Sequence, residues 1–479
     1  MSDSLSLKHK ILSGVFWQYF QRIGNQLVSF FVSILLARLL LPEDFGAIAL
    51  IGVFITISNI FVDSGFGNAL IQKIEIDDVD TSSVFYLNIV ISIILYGLIY
   101  IISPFVADFY ELPIVSSLLR VQALQIILMA FYCVQNSMLV RNMRFKINFY
   151  VNFTAVIFSS IIGVVCAYNG CGVWSLVASQ LTMQIINAIG YWLLVGWRPK
   201  LVFSYTRIQR LLGYSSRILT GSLLHVLYNN VYNLIIGKQY SSMLLGYYNR
   251  GQLIPTLLVD NAANTINGVM FPALSSIQND KQRFLAMVRK IVSIVAFIVF
   301  LLIAVLFPLS NDLVLLLLTE KWLPCVPFMQ IVCVTVCFTP FILINSAIMT
   351  SLGESNKYLK TTFISKILSI VLISLSSLMG IYCMVGMGCI AAILTVWITG
   401  YWNYQLIGYC WRDFLSDILP SMILGIIVSS LLFVLGFCGL PIILYIILGA
   451  LLSAVLYLLI AYMFRFKQIR FVLELLQNK

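Results

Sequence analysis

Apolar runs of about 20 residues recur along almost the whole chain, and they limit its possible folds more than any other feature. Each run, wound as an α-helix, is long enough to cross a hydrocarbon core about 30 Å thick. Hydrophobic residues make up 61% of the sequence and charged residues only 10%, well outside the range of soluble globular proteins. Because the runs are continuous and do not alternate, they exclude a transmembrane β-barrel. The sequence therefore predicts an all-α polytopic membrane protein.

The apolar runs divide into fourteen segments, which we interpret as transmembrane helices. The first and the eighth are longer than the bilayer requires, so we expect them to tilt or to extend beyond it. The segments cover approximately residues 11–41, 45–67, 82–107, 114–138, 147–168, 172–196, 211–238, 242–277, 286–309, 324–351, 358–381, 384–408, 417–438 and 440–464.

Lysine and arginine residues in the short connecting segments predict the orientation of the chain, because such residues concentrate on the cytoplasmic side of membrane proteins. With a cytoplasmic N-terminus, most of the 29 basic residues lie on the inner side, and the outer ends of the spans keep only Arg38, Lys238 and Lys321. Both termini are therefore predicted to be cytoplasmic. The net charge of +11 follows from this orientation and from contact with anionic membrane lipids, and it needs no nucleic-acid partner.

A polar stripe in the first span returns in the seventh span, displaced by 200 residues. In the first span, the stripe consists of Gln18, Arg22, Asn25, Ser29 and Ser33. In the seventh span, the corresponding positions are Ile218, Ser222, His225, Asn229 and Asn233. At the same displacement, Arg38 corresponds to Lys238 and Gly46 to Gly246. We interpret this as an internal repeat of two six-helix lobes. Since six is an even number, both lobes enter the membrane in the same orientation.

The repeat predicts how the chain is organised. We expect an N-terminal six-helix lobe over residues 1–197 and a second six-helix lobe over residues 211–410. Between them, residues 198–210 are basic and amphipathic and are predicted to form a cytoplasmic linker at the membrane interface. Residues 411–479 have no counterpart in the repeat and are predicted to supply two additional helices and a cytoplasmic tail.

The stripe in the first span places a charged residue, Arg22, inside the membrane, where a charge is rare and costly. Its spacing puts all five members on one helical face. A buried structural arginine is one interpretation, but an entirely polar stripe that the second lobe repeats favours the lining of a polar pathway. The predicted cavity residues are Arg22, Arg250, Gln18, Asn25, Ser29, His225, Asn229, Asn233 and Arg120.

Two of these cavity residues have an alternative placement. Arg250 lies two turns into the eighth predicted span, and Arg120 lies at a similar depth in the fourth. Either side chain is long enough to reach the outer interface while its stem stays in the apolar region. We assign Arg250 to the cavity, whereas Arg120 fits the cavity and the interface equally well.

Two acidic residues and a nearby amide are candidates for ion coupling or for a gate. They are Asp63 in the second span and Asp260 and Asn264 in the eighth. They suit a proton or a sodium ion, or a pairing with basic groups that locks a gate. For Asp63, an ordinary position at the inner interface explains the sequence at least as well. No other cofactor and no metal site is expected.

An enzymatic function has little support in the sequence. The chain has two histidines and no HExxH, Walker or nucleotide-binding glycine motif, and its cysteines form no CxxC pair. Asp78 and Asp80 have the spacing with which metal-dependent glycosyltransferases hold a sugar nucleotide. A match of three residues is weak, and we interpret both as solvated loop acids. We therefore predict a protein that is not an enzyme.

A cationic cavity indicates an anionic cargo. Guanidinium groups bind phosphate through two hydrogen bonds and keep their charge at any relevant pH. A diphosphate that carries a sugar chain requires such a hydrated, basic route, while its lipid tail remains in the bilayer. The charge alone does not distinguish this cargo from another organic anion.

Two segments resemble a known family. Residues 37–50, ARLLLPEDFGAIAL, resemble the link between helices one and two in polysaccharide exporters of the MOP flippase superfamily. Residues 245–280, LGYYNRGQLIPTLLVDNAANTINGVMFPALSSIQND, resemble the eighth helix of Wzx-type oligosaccharide flippases, nearest the WzxC-like branch. The similarity in spacing and topology covers essentially the whole chain.

The resemblance implies two six-helix bundles that face each other in a V, plus two helices. It implies a flippase that moves undecaprenyl-diphosphate-linked oligosaccharide from the inner to the outer leaflet of the bacterial cytoplasmic membrane by alternating access. The product would be O-antigen lipopolysaccharide, capsule or exopolysaccharide, with polymerase and chain-length proteins as partners. Cavity arginines on helices one and eight of such flippases correspond to Arg22 and Arg250.

Two alternatives stay open at this point. A multidrug antiporter of the same superfamily would export organic ions, although its cavity would favour acids and aromatic residues over arginine. A membrane glycosyltransferase would use Asp78 and Asp80.

Overall fold

A computed structural model describes residues 2–63, 66–73, 75–437, 439–464 and 466. All regular structure in this part of the chain is helical, which confirms the predicted all-α class. The α-helices are α1 (Ser2–Leu39), α2 (Pro42–Asp63), α3 (Phe66–Gln72), α4 (Asp78–Tyr110), α5 (Ile114–Gln122), α6 (Leu124–Arg141), α7 (Phe145–Tyr168), α8 (Trp174–Leu194), α9 (Tyr205–Gln239), α10 (Ser242–Ser276), α11 (Lys281–Leu317), α12 (Val326–Val336), α13 (Thr339–Ser351), α14 (Ser355–Ser376), α15 (Ile381–Ile407), α16 (Trp411–Gly436) and α17 (Ile442–Met463). Two short 3₁₀ helices cover Glu320–Cys325 and Ser377–Met379.

Eleven helical stretches in the described part of the chain are long and apolar enough to cross a membrane. The protein is therefore a multi-pass membrane protein. Helices α8, α9 and α10 also have the length of a span, but they are not among the eleven. These three carry many of the polar residues discussed below. The total of fourteen spans stays a prediction.

The chain forms two compact units, residues 1–246 and 247–479, which divide inside α10. Helix α9 packs in the first unit, against α2, α3 and α4. The internal repeat assigned this helix to the second lobe, so the compact units and the sequence repeat divide the chain at different places. The predicted lobe boundaries stay a prediction.

The segment before α9 is less helical than its amphipathic sequence suggests. Residues 195–204 have no helical structure, and α9 begins at Tyr205. The backbone N–H of Lys200 donates to Ser82 Oγ at 3.0 Å, and that of Ser204 donates to Ser83 Oγ at 2.9 Å. These bonds fasten the linker to the first turns of α4, so its path is set by packing and not by helix propensity.

The last two helices belong to the core of the second unit. Helix α11 packs against both α16 and α17. Tyr457 of α17 is fully buried, its ring lies 4.9 Å from that of Phe297, and its hydroxyl donates to the Phe297 carbonyl oxygen at 3.1 Å. The additional helices are thus an integral part of this unit. The predicted cytoplasmic tail after residue 466 lies outside the described residues.

Candidate functional site

Helix α1 presents two opposite faces. The polar stripe and a set of large apolar residues follow the same spacing, displaced by two residues, which places them on opposite sides of a helix. The apolar residues are between 51% and 62% exposed, as expected of a face in contact with lipid, and they are Phe16, Phe20, Ile23, Leu27 and Phe31. The stripe with Arg22 therefore points away from that lipid-facing side.

A third side of α1 is held by α7. The ring of Trp17 lies 5.3 Å from that of Phe149, and a β-carbon on Gly24 would lie 3.4 Å from Phe153. On the stripe, Arg22 is exposed and Asn25 is half-buried. Among the described residues, Asn25 Oδ1 is buried without a hydrogen-bond partner. Such an atom is costly in a dry interior, so the stripe suits contact with water or a polar cargo.

The matching stripe on α9 forms local hydrogen bonds. Asn229 Nδ2 lies 3.1 Å from His225 Nδ1, and Asn233 Nδ2 donates to Asn230 Oδ1 at 3.1 Å. Both His225 and Asn229 are exposed. This face presents amide and imidazole groups, whereas the stripe on α1 carries a guanidinium.

The C-terminal end of α9 contacts the C-terminal end of α4. Lys238 Nζ donates to the carbonyl oxygen of Phe109 at 2.6 Å and lies 3.2 Å from Glu111 Oε1. Because a lysine near the C-terminus of a helix satisfies exposed carbonyls, this contact caps α4 and holds α9 beside it.

The other end of α4 carries the acid pair that suggested a glycosyltransferase. Asp80 is only 1% exposed and forms ion pairs with Lys73 and, at 3.5 Å, with Arg207. Asp78 is half exposed and lies 2.5 Å from Lys200 Nζ. The expectation of two solvated loop acids is therefore wrong for Asp80, since cations from three segments gather around the α4 N-terminus.

Asp77 completes this cluster as the N-cap of α4. Its side chain accepts a hydrogen bond from the backbone N–H of Asp80 at 2.8 Å, and Arg207 Nη2 lies 2.9 Å from Asp77 Oδ2. The hydrogen bond from the Asp80 backbone, more than the nearby Arg207 charge, lowers the pKa of the Asp77 carboxyl. No group of acids, cysteines and histidines in the described part of the chain is arranged to hold a metal ion. The cluster stabilises a helix start.

Arg120 is engaged within the first unit. Its Nε donates to Ser103 Oγ at 2.7 Å, and its guanidinium carbon lies 4.4 Å from the centre of the Tyr100 ring. Both partners belong to α4. The structure thus gives Arg120 a packing role between α5 and α4, and its place in a cavity stays a prediction.

Arg250 lies in the second unit, beside an aromatic anchor. Its guanidinium carbon is 5.9 Å from the centre of the fully buried Trp322 ring, within the range of a cation–π contact. A β-carbon on Gly251 would lie 2.8 Å from the Cys325 carbonyl oxygen. The missing side chain at residue 251 therefore allows α10 to approach the 3₁₀ helix that carries Trp322.

The candidate ion-coupling residues are only partly described. Asp260 is exposed on α10. The side chains of Asp63 and Asn264 lie outside the described part of the structure. Asn59, one turn before Asp63, has a buried Oδ1 with no hydrogen-bond partner among the described residues.

A third polar stripe, on α8, is absent from the residues predicted from the sequence. Its members, Gln180, Gln184, Asn187 and Tyr191, have the same spacing as the α1 stripe, so that periodicity was the available signal. Gln184 accepts from Tyr132 at 2.6 Å.

The Tyr191 hydroxyl is the centre of this network. It donates to Asn148 Oδ1 and accepts from Asn152 Nδ2 at 2.9 Å. Its ring stacks on Tyr132 with centres 5.1 Å apart. A polar network of amides and a phenol thus joins α6, α7 and α8.

Comparison with known proteins connects these features to a family. The model of a family described as "Polysaccharide biosynthesis protein" matches residues 35–327, more than half of the chain. The chain belongs to this family. The resemblance to polysaccharide exporters of the MOP superfamily is thereby confirmed.

Relatives with similar sequences support the family assignment. One is an "Uncharacterized membrane protein in cps region" of Klebsiella pneumoniae, 26% identical over 337 residues, which are 69% of each chain. Another is the "Lipopolysaccharide biosynthesis protein WzxC" of Escherichia coli strain K12, 24% identical over 339 residues, with 69% of this chain and 68% of the relative covered.

A solved structure has a fold similar to that of this chain. The "Lipid II flippase MurJ, inward closed conformation" matches with a TM-score of 0.76 over 95% of this chain and 98% of that chain. The sequence identity is 16%, so the match concerns the fold alone.

Proposed function

We propose that this protein is a flippase for undecaprenyl-diphosphate-linked oligosaccharide. It moves this lipid from the inner to the outer leaflet of the bacterial cytoplasmic membrane, for the synthesis of O-antigen, capsule or exopolysaccharide. The observation that supports the proposal most directly is the pair of opposite faces on α1. A member of a polysaccharide biosynthesis family carries a polar stripe with an arginine directly opposite a lipid-facing side.

The cargo has two polar parts, and the described residues suit both. Arg22 is suited to the diphosphate, because a guanidinium donates two parallel hydrogen bonds to phosphate oxygens. The amides and the imidazole of Asn229, Asn233 and His225 are suited to sugar hydroxyls, which both donate and accept. The prenyl tail stays in the bilayer, so only the polar head has to cross.

In this proposal Arg250 is the second phosphate ligand. Its contact with Trp322 helps to hold the guanidinium in one place. A positioned charge loses less conformational entropy on binding than a mobile one. Each unit thus supplies one proposed phosphate ligand, Arg22 on α1 and Arg250 on α10.

The proposed transport cycle uses alternating access and ion coupling. Two six-helix lobes alternate in access, with both termini cytoplasmic, and a proton or sodium ion drives the cycle through Asp63, Asp260 and Asn264. Polymerase and chain-length proteins receive the product. The protein is a transporter and not an enzyme.

The described residues oppose both alternative functions. The acids Asp78 and Asp80 are both in ion pairs that stabilise the α4 N-terminus, so a sugar-nucleotide site would have to break them. The positive charge of Arg22 and Arg250 opposes an organic cation as cargo.

The test follows a fluorescent lipid-linked oligosaccharide across proteoliposomes, with an impermeant glycosidase that reports the outer leaflet. Arg22→Ala and Arg250→Ala are expected to slow flipping at least about tenfold, equivalent to about 1.4 kcal/mol of lost phosphate binding. Leu27→Ala, on the lipid face of α1, is the matched control and should keep normal flipping. Normal flipping by the double arginine variant would overturn the proposal.

A further inference from the structure

A cavity of about 230 Å³ lies where α15 ends and α16 begins. Six aromatic side chains form most of its wall: Trp397, Tyr401, Tyr404, Tyr409, Trp411 and Phe414. The whole cavity belongs to the second unit, and none of the residues assigned to cargo transport contributes to it. Its ligand is therefore considered separately from the transported cargo.

One residue of the cavity wall, Gly400, contributes no side chain. A β-carbon on Gly400, which lines the cavity, would meet no atom within 4 Å. Helix α15 thus leaves an open notch between aromatic side chains on neighbouring turns. A larger residue at this position would fill the notch without displacing the backbone.

The frame of the cavity is held by polar contacts. Tyr409 donates to Asp417 Oδ2 at 3.1 Å, and Arg289 joins Asp417 and Asp413 at 3.0 Å each. At the base, buried Asn345 donates to Thr399 Oγ1 at 3.0 Å. Because these contacts fix α11, α13, α15 and the start of α16, the cavity is formed in advance of any ligand.

The mouth of the cavity faces the bilayer. Both α15 and α16 are apolar enough to span a membrane, and three wall residues on the last turns of α15 are exposed to between 52% and 55%. These are Trp397, Tyr401 and Tyr404. Tryptophan and tyrosine gather at the level of the lipid head groups. The cavity therefore opens where an acyl chain meets its head group.

Polar groups at the mouth suit one phosphate. Helix α16 starts after Cys410, whose side chain does not cap the first N–H groups of the helix. Arg412 is exposed in the same turn. Asp413 and Asp417 share the single positive charge of Arg289, and the negative charge that remains would repel a multiply charged diphosphate more than a singly charged group. A singly charged phosphodiester fits this balance better.

We propose that this cavity is a binding site for one glycerophospholipid, whose acyl chain fills the aromatic notch at Gly400 and whose phosphate contacts Arg412 and the α16 N-terminus. The site is distinct from the transport pathway. By the predicted orientation it faces the cytoplasmic leaflet. The bound lipid completes the packing of α15 against α16.

Native mass spectrometry of the full-length protein, released from phosphatidylglycerol nanodiscs, tests this proposal. The wild-type protein is expected to retain one phosphatidylglycerol after annular lipids have been stripped. Gly400→Leu should lower the retained fraction about tenfold. The matched control is Gly386→Leu, on nearly the same face of α15 about four turns earlier, where a β-carbon also meets nothing within 4 Å.

One further variant and one competing lipid test the head-group contact and the identity of the ligand. Arg412→Gln should reduce retention of phosphatidylglycerol while leaving the melting temperature unchanged, which separates the head-group contact from folding. Equal lipid retention by Gly400→Leu and wild type would overturn the proposal, because only annular lipid would then be bound. Displacement of the phosphatidylglycerol by equimolar undecaprenyl phosphate would also overturn it, in favour of a site for the carrier lipid.

Discussion

The backbone of Gly46 lies against the carbonyl oxygen of Ser242, so closely that a β-carbon on Gly46 would be 1.7 Å from that oxygen. The reverse contact is equivalent, since a β-carbon on Gly246 would be 2.0 Å from the carbonyl oxygen of Pro42. A displacement of 200 residues relates Gly46 to Gly246 and Pro42 to Ser242, so each contact is the counterpart of the other. The first turns of α2 and α10 therefore meet through matching positions of the internal repeat.

Alanine at residue 46 or 246 is expected to force the two helix starts apart. A shift of well-packed backbone costs about 1–3 kcal/mol, so Gly46→Ala and Gly246→Ala should lower the melting temperature in detergent. Gly52→Ala on α2 is the control, because its β-carbon meets nothing within 4 Å. That substitution should raise helix stability by up to about 1 kcal/mol. Equal melting temperatures for Gly46→Ala and Gly52→Ala would contradict the close contact.

Arg120 is expected to stabilise the fold through its contacts with α4. Loss of its hydrogen bond to Ser103 should cost about 1.5–3 kcal/mol, as for other charged hydrogen bonds. Arg120→Gln and Ser103→Ala should each reduce stability, and the double variant should lose less than the sum of both. Thermal unfolding measures this coupling. If Arg120→Gln instead stopped flipping with no loss of stability, Arg120 would belong to the cavity.

The acids at the start of α4 should differ in their contributions to the stability of the folded protein. Asp80→Asn removes the buried negative charge that Lys73 and Arg207 share, and the loss of a hydrogen bond to a charged group costs about 1.5–3 kcal/mol. Asp78→Asn, at a half-exposed pair, should cost at most about 1 kcal/mol. Expression level and melting temperature distinguish the two. A stable Asp80→Asn protein that has lost sugar transfer would revive the glycosyltransferase hypothesis.

Stability should also depend on pH through Asp77. The pKa of this carboxyl is lowered in the folded state, so its stabilising contribution is present above the ordinary value of 3.8 and is lost as pH falls through the lowered pKa. Asp77→Asn should therefore flatten the acid side of a plot of melting temperature against pH. An unchanged acid side would show that the α4 N-cap does not contribute.

The sequence by itself determined the helices and the polar face of α1. Apolar runs such as those in α4 and α11 must be helical, because a helix satisfies its backbone hydrogen bonds within one segment. The Arg22 stripe was visible for the same reason, since the period of a helix relates residues only a few positions apart. The α8 stripe around Tyr191 obeys the same period and was available to the same reasoning.

The tertiary structure alone decided which partners those faces meet. Arg120 contacts Ser103, which is 17 residues away in the sequence, and Asp80 contacts Arg207, which is 127 residues away. Gly46 contacts Ser242 across 196 residues. The grouping of α9 with the first unit and the aromatic notch at Gly400 depend in the same way on packing between helices. Periodicity is local to one helix, whereas the choice of neighbour is a property of the complete set of packed helices, because in lipid it rests on close shape complementarity and not on hydrophobicity.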